Sequence, residues 1–207
     1  FLMVYIIGIS GKSASGKTTI SKKLSQMLNA TIINIDMFYY NEQQVEQLKL
    51  FENNDYNWDD PKTINIQQLL EVVQQLKNNI EVKLPIHDHK SCKKLDQYLL
   101  LKPNKFIIIE GIFALYWQEL SNLMDLKVYV ECSDQVVEKR RLKRDVEERN
   151  YTLQEASDYY YKKAKPSQDI FVKCQLMNAH IVIPWELENL KALDAICCYV
   201  NAESEKQ

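Results

Sequence analysis

The residues between Gly8 and Thr19 carry the clearest chemical pattern in the sequence. Positions 11–18 follow the spacing G-x-x-x-x-G-K-[ST], in which backbone N–H groups surround the phosphates of a nucleotide. In this pattern Lys17 would reach the outer phosphates and Thr18 would bind Mg²⁺. Only four glycines occur in 207 residues, and three of them lie in this stretch, where backbone must approach a ligand closely. The pattern therefore predicts a nucleotide-binding loop.

Two acidic residues each follow an apolar, β-rich run. Asp36 follows residues 31–35, and Glu110 follows residues 106–109. Ligands of parallel α/β sheets bind beyond the carboxyl ends of the strands, so both acids are expected in the crevice of the glycine-rich loop. Asp36 could act there as a base, although it could also cap a turn. Glu110 has the form of an acid that holds Mg²⁺ directly or through water, because a buried carboxylate without a partner would be costly.

A basic run occupies residues 136–149. On a helix, Arg140 and Arg144 would share one face, with Arg141 beside Arg144. Such a guanidinium cluster neutralises charge in phosphoryl transfer. Interleaved acids allow a second interpretation, a solvated helix with ion pairs along it. The glycine-rich loop favours the first interpretation.

The elements that must position these residues alternate between strand and helix patterns. The predicted strands occupy residues 4–9, 31–35, 106–109, 127–130 and 179–183, and the predicted helices occupy residues 18–28, 64–76, 136–149 and 187–200. Residues 41–55 have no clear period and are interpreted as a surface excursion. Two short strand patterns, 81–84 and 97–101, flank a polar tip and predict a hairpin.

These patterns predict a single α/β domain over residues 1–207. It is a three-layer sandwich of the P-loop NTPase type, with a mostly parallel five-stranded sheet and helices on both faces. A small β-hairpin insertion spans residues 81–102, and an arginine-rich lid spans residues 140–165.

Composition narrows the class of protein. The formal net charge of −2 and the pI near 6.0 argue against a nucleic acid or an anionic membrane as the main partner, which leaves a small molecule. No apolar stretch approaches the roughly 18 residues of a membrane span, and the start lacks a cleavable signal pattern, so a soluble cytoplasmic protein is expected. The five cysteines have no C-x-x-C spacing and are expected to be reduced and packed.

In their order and spacing these motifs resemble the uridine kinase family of P-loop nucleoside kinases, which is related to phosphoribulokinase and the nicotinamide riboside kinases. The resemblance covers nearly the whole chain. Beyond the glycine-rich loop it rests on D-M-F-Y at 36–39, where the family has D-x-F-Y, and on N-W-D-D-P at 57–61, where the family has N-F-D-H-P. It continues through the hairpin segment 85–94, E-G at 110–111, R-x-x-R-D-x-x-x-R at 141–149 and A-H-I-V-I-P at 179–184.

The resemblance implies a role for each matching residue. Asp36 would be the general base that takes the proton from a primary hydroxyl, and Asp59 would hold the ribose hydroxyls. Tyr39, His87 and Arg141 would face the substrate. The phosphates of ATP would be bound by Gly11, Lys12, Ser13, Ala14, Ser15, Gly16, Lys17, Thr18, Thr19, Arg144 and Arg149. Mg²⁺ would be held by Thr18 and Glu110, and Lys17 would assist catalysis together with Asp36.

The chain departs from the family at the positions that contact the base of the nucleoside. The family has Y-D-F and then H-x-R in the hairpin, whereas this chain has H-D-H at 87–89 and C-x-K at 92–94. Tyr151 stands where the family has a second lid arginine. Cysteine and lysine do not reproduce an imidazole or a planar guanidinium. The identity of the acceptor therefore stays open at His87, His89, Cys92, Lys94 and Tyr151.

The resemblance implies ATP- and Mg²⁺-dependent phosphorylation of the primary (5′) hydroxyl of a ribonucleoside, with uridine or cytidine as first candidates, in nucleoside salvage. Two alternatives stay open. The acceptor could be nicotinamide riboside, another riboside or a sugar phosphate, or the chain could be an ATP-binding switch without an acceptor. Members of the family often assemble through the hairpin, so a homo-oligomer is one expectation.

Overall fold

A computed structural model describes residues 4–52, 55–87 and 94–206. Five strands form one sheet in which every neighbouring pair is parallel. A separate antiparallel hairpin forms a two-stranded sheet. The strands are β1 (Tyr5–Gly11), β2 (Thr31–Asn34), β3 (Val82–His87), β4 (Lys94–Leu101), β5 (Phe106–Glu110), β6 (Leu126–Glu131) and β7 (Ile181–Pro184). The order in the large sheet is β2-β5-β1-β6-β7, and β3 pairs with β4.

Helices connect the strands and cover both faces of the sheet. The α-helices are α1 (Lys17–Leu28), α2 (Glu42–Gln47), α3 (Ile66–Lys77), α4 (Gln118–Ser121), α5 (Asp134–Glu147), α6 (Leu153–Tyr159), α7 (Lys165–Ser167) and α8 (Leu190–Ser204). Two π-helical segments, Tyr160–Ala164 and Gln168–Val172, lie on either side of α7. Shorter 3₁₀ turns occupy Ile35–Phe38, Pro61–Thr63 and Lys173–Asn178. None of the described helices has the length and apolar character needed to cross a membrane.

Two hydrophobic layers lie on opposite faces of the sheet because successive side chains of a strand alternate in direction. In β1, Ile6 packs into the layer that contains α3 and the hairpin, whereas Ile7 and Ile9 pack into the layer that contains α1 and α8. All seven residues of β1 are buried, as expected for a central parallel strand. The predicted three-layer α/β sandwich with a five-stranded parallel sheet and a small hairpin is confirmed.

Local details differ from the sequence prediction for identifiable reasons. The segment interpreted as an irregular excursion contains α2, which begins with a capping box between Asn41 and Gln44. The last helix begins at Leu190 instead of residue 187, since Asn189 caps it by accepting a hydrogen bond from the Ala192 amide. The expectation of packed thiols is wrong for Cys174 and Cys198, which are exposed, while Cys132 and Cys197 are buried.

Candidate active site

The glycine-rich loop joins the end of β1 to the start of α1. Its shape requires the two glycines of the motif, because both have positive φ, 143° at Gly11 and 110° at Gly16. A Cβ atom on Gly11 would lie 2.4 Å from the carbonyl oxygen of Val130, and one on Gly16 would lie 2.3 Å from the Trp185 ring. Ala14 is also left-handed, with φ of 64°. The backbone is therefore held in the conformation of a phosphate cradle.

The groups inside this cradle have the character of an anion site. Gly16 precedes α1 without a side-chain cap, so the first amides of the helix keep their hydrogen-bonding capacity. The Ser15 hydroxyl is buried, and no described residue forms a hydrogen bond with it. Lys17 is buried, and its Nζ donates to the carbonyl of Lys12 at 2.8 Å. Burial lowers the pKa of Lys17 to about 8, although the negative charges of Glu110 and Asp36 act in the opposite direction.

Glu110 and Thr18 meet beside the loop. Glu110 ends β5 and is 3% exposed, and its Oε1 accepts a hydrogen bond of 3.1 Å from the Thr18 hydroxyl. Burial raises the pKa of Glu110, while the charge of Lys17 lowers it. A hydroxyl and a carboxylate oxygen are the hard ligands that Mg²⁺ prefers, so this pair fits the metal. Thr19, the next residue of α1, is exposed.

Asp36 lies near Lys17 and Glu110. It occupies the 3₁₀ turn after β2, where its amide donates to Asn34 Oδ1 at 2.8 Å. Its charge acts on both Lys17 and Glu110, raising the pKa of each. Among the residues that the structure describes, none donates a hydrogen bond to the Asp36 carboxylate. The predicted neighbourhood of Asp36, Lys17 and Glu110 therefore exists, and the carboxylate of Asp36 is available to a ligand.

Asp59 and Arg141 form a buried ion pair next to Tyr39. The guanidinium donates two bonds to the carboxylate, Nη1 to Oδ1 at 2.8 Å and Nη2 to Oδ2 at 2.9 Å. Burial alone would raise the pKa of Asp59, but the charge and hydrogen bonds of Arg141 hold this pKa below its usual value. Burial and the charges of Asp36 and Asp59 raise the pKa of Tyr39, so its ring lies near both carboxylates. The Tyr39 hydroxyl donates to the carbonyl of Trp58 at 2.9 Å.

Arg144, one of the arginines of the predicted lid, reaches the glycine-rich loop from α5. Arg144 Nη1 donates to the Ser13 hydroxyl at 3.2 Å, while its Nε and Nη2 bind Asp145. Arg149 follows the end of α5 and reaches the same carboxylate, with Nη1 3.4 Å from Oδ1. Burial lowers the pKa of Arg144, and the charge of Arg149 lowers it further. Positive charge is therefore crowded beside the loop, as a site for phosphates requires.

Other basic residues have different partners. Arg140 does not join the predicted cluster, because its Nη1 and Nη2 donate to the carbonyls of Trp185 at 3.1 Å and Glu186 at 2.7 Å. Lys12 forms an ion pair with Asp134 at the start of α5. Tyr151, at the position of the missing lid arginine, is 51% exposed.

The structure describes only part of the hairpin that was expected near the base of the acceptor. Residues 89 and 92, the positions of His89 and Cys92, lie outside the described residues. The backbones of His87 and Lys94 are paired in the antiparallel ladder of β3 and β4, and their side chains lie outside what the structure describes. Their predicted contacts with the substrate remain predictions.

Two residues near the site were not predicted from the sequence. Tyr159 ends α6, and its hydroxyl accepts a hydrogen bond from the Trp58 amide at 2.9 Å. Gln175 is fully buried, and its Oε1 accepts bonds from the Ser10 hydroxyl and the Leu115 amide. No local sequence signal marks either contact, since the partners are 101, 165 and 60 residues apart.

Comparison with known proteins identifies the family of the chain. The sequence profile of the phosphoribulokinase / uridine kinase family matches residues 6–191. The uridine kinase of Schizosaccharomyces pombe is 33% identical over 200 residues, which cover 95% of this chain and 44% of that protein. The uridine kinase of Limosilactobacillus reuteri is 34% identical over 194 residues, covering 92% of this chain and 88% of that protein. The chain spans less than half the length of the fungal and plant relatives that it matches.

Solved structures share the fold. Phosphoribulokinase from Rhodobacter spheroides superposes with a TM-score of 0.66 at 14% identity, covering 89% of this chain and 71% of that one. A protein described as a possible uridine kinase from Bacillus stearothermophilus superposes with a TM-score of 0.63 at 19% identity, covering 87% and 88%. Profile, relatives and fold agree over nearly the whole sequence, and the chain belongs to the phosphoribulokinase/uridine kinase family.

Proposed function

We propose that the chain is an ATP-dependent kinase that phosphorylates the primary (5′) hydroxyl of a ribonucleoside, with uridine or cytidine as first candidates. The observation that carries the proposal is that Lys17 and Thr18 bind the Lys12 carbonyl and Glu110 at the glycine-rich loop, with the charge of Asp36 close to both Lys17 and Glu110. Relatives of similar length that are named uridine kinases support the nucleoside as acceptor.

The donor side of the reaction is assigned to the loop and the lid. The α1 amides and Lys17 would hold the phosphates of ATP, and Arg144 and Arg149 would neutralise charge on the transferring group. The residues assigned to ATP are Gly11, Lys12, Ser13, Ala14, Ser15, Gly16, Lys17, Thr18, Thr19, Arg144 and Arg149. Thr18 and Glu110 would hold Mg²⁺, which supplies electrostatic stabilisation of phosphate oxygens when bound.

Asp36 is assigned the role of general base. Its carboxylate has no donor among the described residues, and it lies near Lys17, so it could accept the proton of a primary hydroxyl directed at the γ-phosphate. General base catalysis contributes about 10²- to 10⁴-fold in rate. Asp59, Tyr39, Arg141 and His87 are assigned to the acceptor, with Asp59 on the ribose hydroxyls.

The substitution Asp36→Asn tests the proposal. It keeps the shape of the side chain and removes the basic oxygen, so we expect acceptor-dependent ADP formation to fall at least 10²-fold while ATP affinity, measured by titration calorimetry, stays within twofold. Asp169→Asn is the matched control, because Asp169 is an exposed aspartate on the π-helical segment Gln168–Val172. Undiminished turnover in Asp36→Asn would remove Asp36 from the mechanism.

A panel of acceptors distinguishes the competing functions. The exposed Tyr151 in place of a lid arginine favours testing acceptors other than pyrimidine nucleosides. Thermal shift with a non-hydrolysable ATP analogue, uridine, cytidine, nicotinamide riboside and sugar phosphates would identify the acceptor that adds stability. A switch protein would hydrolyse ATP at a rate that no riboside changes, whereas ATP consumption by a kinase depends on the acceptor.

A further inference from the structure

Tyr159 lies where three parts of the molecule meet. Its hydroxyl accepts a hydrogen bond of 2.9 Å from the Trp58 amide, so the single proton of the hydroxyl is free to point elsewhere. The nearby Tyr159 hydroxyl helps to hold the pKa of Asp59 below its usual value. The centre of the Tyr159 ring is 5.8 Å from the Arg141 guanidinium carbon. One side chain therefore binds the backbone next to Asp59 and lies beside both members of the buried ion pair.

Hydrogen bonds join the helical segment that carries Tyr159 to the loop at residues 55–60. Lys163 Nζ donates to the carbonyl of Tyr56 at 2.6 Å, and Asn57 Nδ2 donates to the Ser167 hydroxyl at 2.8 Å. The residues on the helical side are 159, 163 and 167, and their partners are 58, 56 and 57. These bonds form a seam between the loop and the segment α6 to α7.

Two π-helical segments accompany this seam. Tyr160–Ala164 follows Tyr159 directly, and Gln168–Val172 follows α7. Such turns cluster at functional sites. The Gln168 side chain lies close enough to Asp59 to lower its pKa, although its buried Nε2 has no hydrogen-bond partner among the described residues. The segment thus places Tyr159 and Gln168 beside the Asp59 carboxylate.

We propose that Tyr159 is a positioning residue that fixes the orientation of the Asp59 carboxylate for the hydroxyls of the acceptor. The inference rests on the proposed function, in which Asp59 holds those hydroxyls. Arg141 binds both oxygens of the carboxylate, and the Tyr159 ring lies beside Arg141. The Tyr159 hydroxyl binds the amide of the residue before Asp59, so these contacts together hold the carboxylate in one orientation. Without the hydroxyl, the Trp58 amide also loses its acceptor, and the loop that carries Asp59 loses one point of attachment.

The variant Tyr159→Phe removes only the hydroxyl. We expect the KM for the acceptor to rise about fivefold, the factor that corresponds to loss of one neutral hydrogen bond of about 1 kcal/mol, while kcat and the KM for ATP stay within twofold. Tyr161→Phe is the matched control. Tyr161 lies on the same segment and its hydroxyl also donates to a carboxylate, but that carboxylate belongs to Glu138 on α5, and Tyr161 is half exposed.

Two kinetic outcomes would overturn the inference. One is an unchanged acceptor KM in Tyr159→Phe, and the other is a parallel rise in the KM values for acceptor and ATP, which indicates general loosening of the structure. If the wild-type chain phosphorylates no acceptor, the proposed function fails, and Tyr159 is then judged by carbon-13 NMR titration of the Asp59 carboxyl. The pKa of Asp59 rises in Tyr159→Phe if the hydroxyl orients the carboxylate, and an unchanged pKa overturns the inference.

Discussion

The ion pair between Asp59 and Arg141 offers a quantitative test of the structure, through the substitution Arg141→Met. The side chains of Asp59 and Arg141 are almost fully buried, with 6% and 4% exposed. The two terminal guanidinium nitrogens, Nη1 and Nη2, each lie within 2.9 Å of a carboxylate oxygen. Methionine keeps much of the volume of the arginine stem but leaves the Asp59 carboxylate without its cation. The perturbation is therefore a buried, uncompensated charge.

The expected cost follows from the remaining partners. Removing one member of a buried ion pair costs about 3 to 5 kcal/mol in the free energy of unfolding. Asp59 keeps the nearby Tyr159 hydroxyl, which also lowers its pKa, and Asp145, the second carboxylate near Arg141, keeps Arg144 and Arg149. We therefore expect the lower end, about 3 kcal/mol. The double variant Asp59→Leu/Arg141→Met removes both charges and should cost about 1 kcal/mol or less, because apolar replacement of a buried pair is often neutral.

Equilibrium unfolding in urea at pH 7 measures both values. Lys143→Met provides the matched control on α5, because Lys143 is exposed and its only described ion pair, to Glu147, spans 3.9 Å at the surface. This control should change the free energy of unfolding by less than about 0.5 kcal/mol. The reasoning is refuted if Arg141→Met costs less than about 1 kcal/mol, or if the double variant costs as much as the single one.

The same pair sets a pH dependence. The pKa of Asp59 is lowered in the folded protein, so its contribution to stability is present above the pKa of the unfolded chain, about 4, and is lost as the pH falls through the folded pKa. In Arg141→Met the buried carboxylate has no cation and its pKa rises. The difference in stability between wild type and Arg141→Met should therefore narrow between pH 7 and pH 4. A constant difference over this range would contradict the ion-pair account.

Two further predictions concern the glycine-rich loop. Gly11→Ala places a Cβ atom 2.4 Å from the Val130 carbonyl at a φ of 143°, so we expect a loss of about 1 to 3 kcal/mol in urea unfolding, and wild-type stability would contradict the backbone geometry. Lys17→Ala should weaken binding of a non-hydrolysable ATP analogue at least about tenfold in calorimetry, because a charge-assisted bond is lost. Lys77→Ala, on the exposed end of α3, is its control, and equal affinities in the two variants would exclude Lys17 from the nucleotide site.

The proposed donor side of the site could be predicted because the residues that determine it are close together in the sequence. A β-rich run, two glycines at fixed spacing and a helical run determine the loop, and the structure bears this out in the positive φ of Gly11 and Gly16. Asp36 and Glu110 could be predicted to meet because parallel strands end at the same edge of a sheet. The rule needs only the position of each acid after its strand, which the apolar runs identify.

The acceptor side could not be predicted to the same depth because its contacts join distant parts of the chain. Asp59 and Arg141 are 82 residues apart, and Trp58 and Tyr159 are 101 residues apart. Arg140 and Arg141 are adjacent on α5, but Arg140 binds the Glu186 carbonyl and Arg141 binds the Asp59 carboxylate. Sequence spacing alone could not assign these separate partners. The π turns after α6 also break the 3.6-residue period, so a helical pattern assigns wrong faces to the residues beyond Tyr159.

Helix α5 joins the two sides of the site. Arg144 contacts Ser13 in the glycine-rich loop, and Arg141, three residues earlier, holds Asp59 on the acceptor side. Residues at this spacing are neighbours on a helix surface, about 4.5 Å apart along the axis, so the helix links the two contacts as one rigid unit. Arg144 shares Asp145 with Arg141 and Arg149, which ties the three cations to one carboxylate. If Arg144 binds the phosphates as proposed, a displacement of α5 that withdraws Arg144 would also move Arg141 and pull on Asp59, so the helix would couple the two proposed sides of the site.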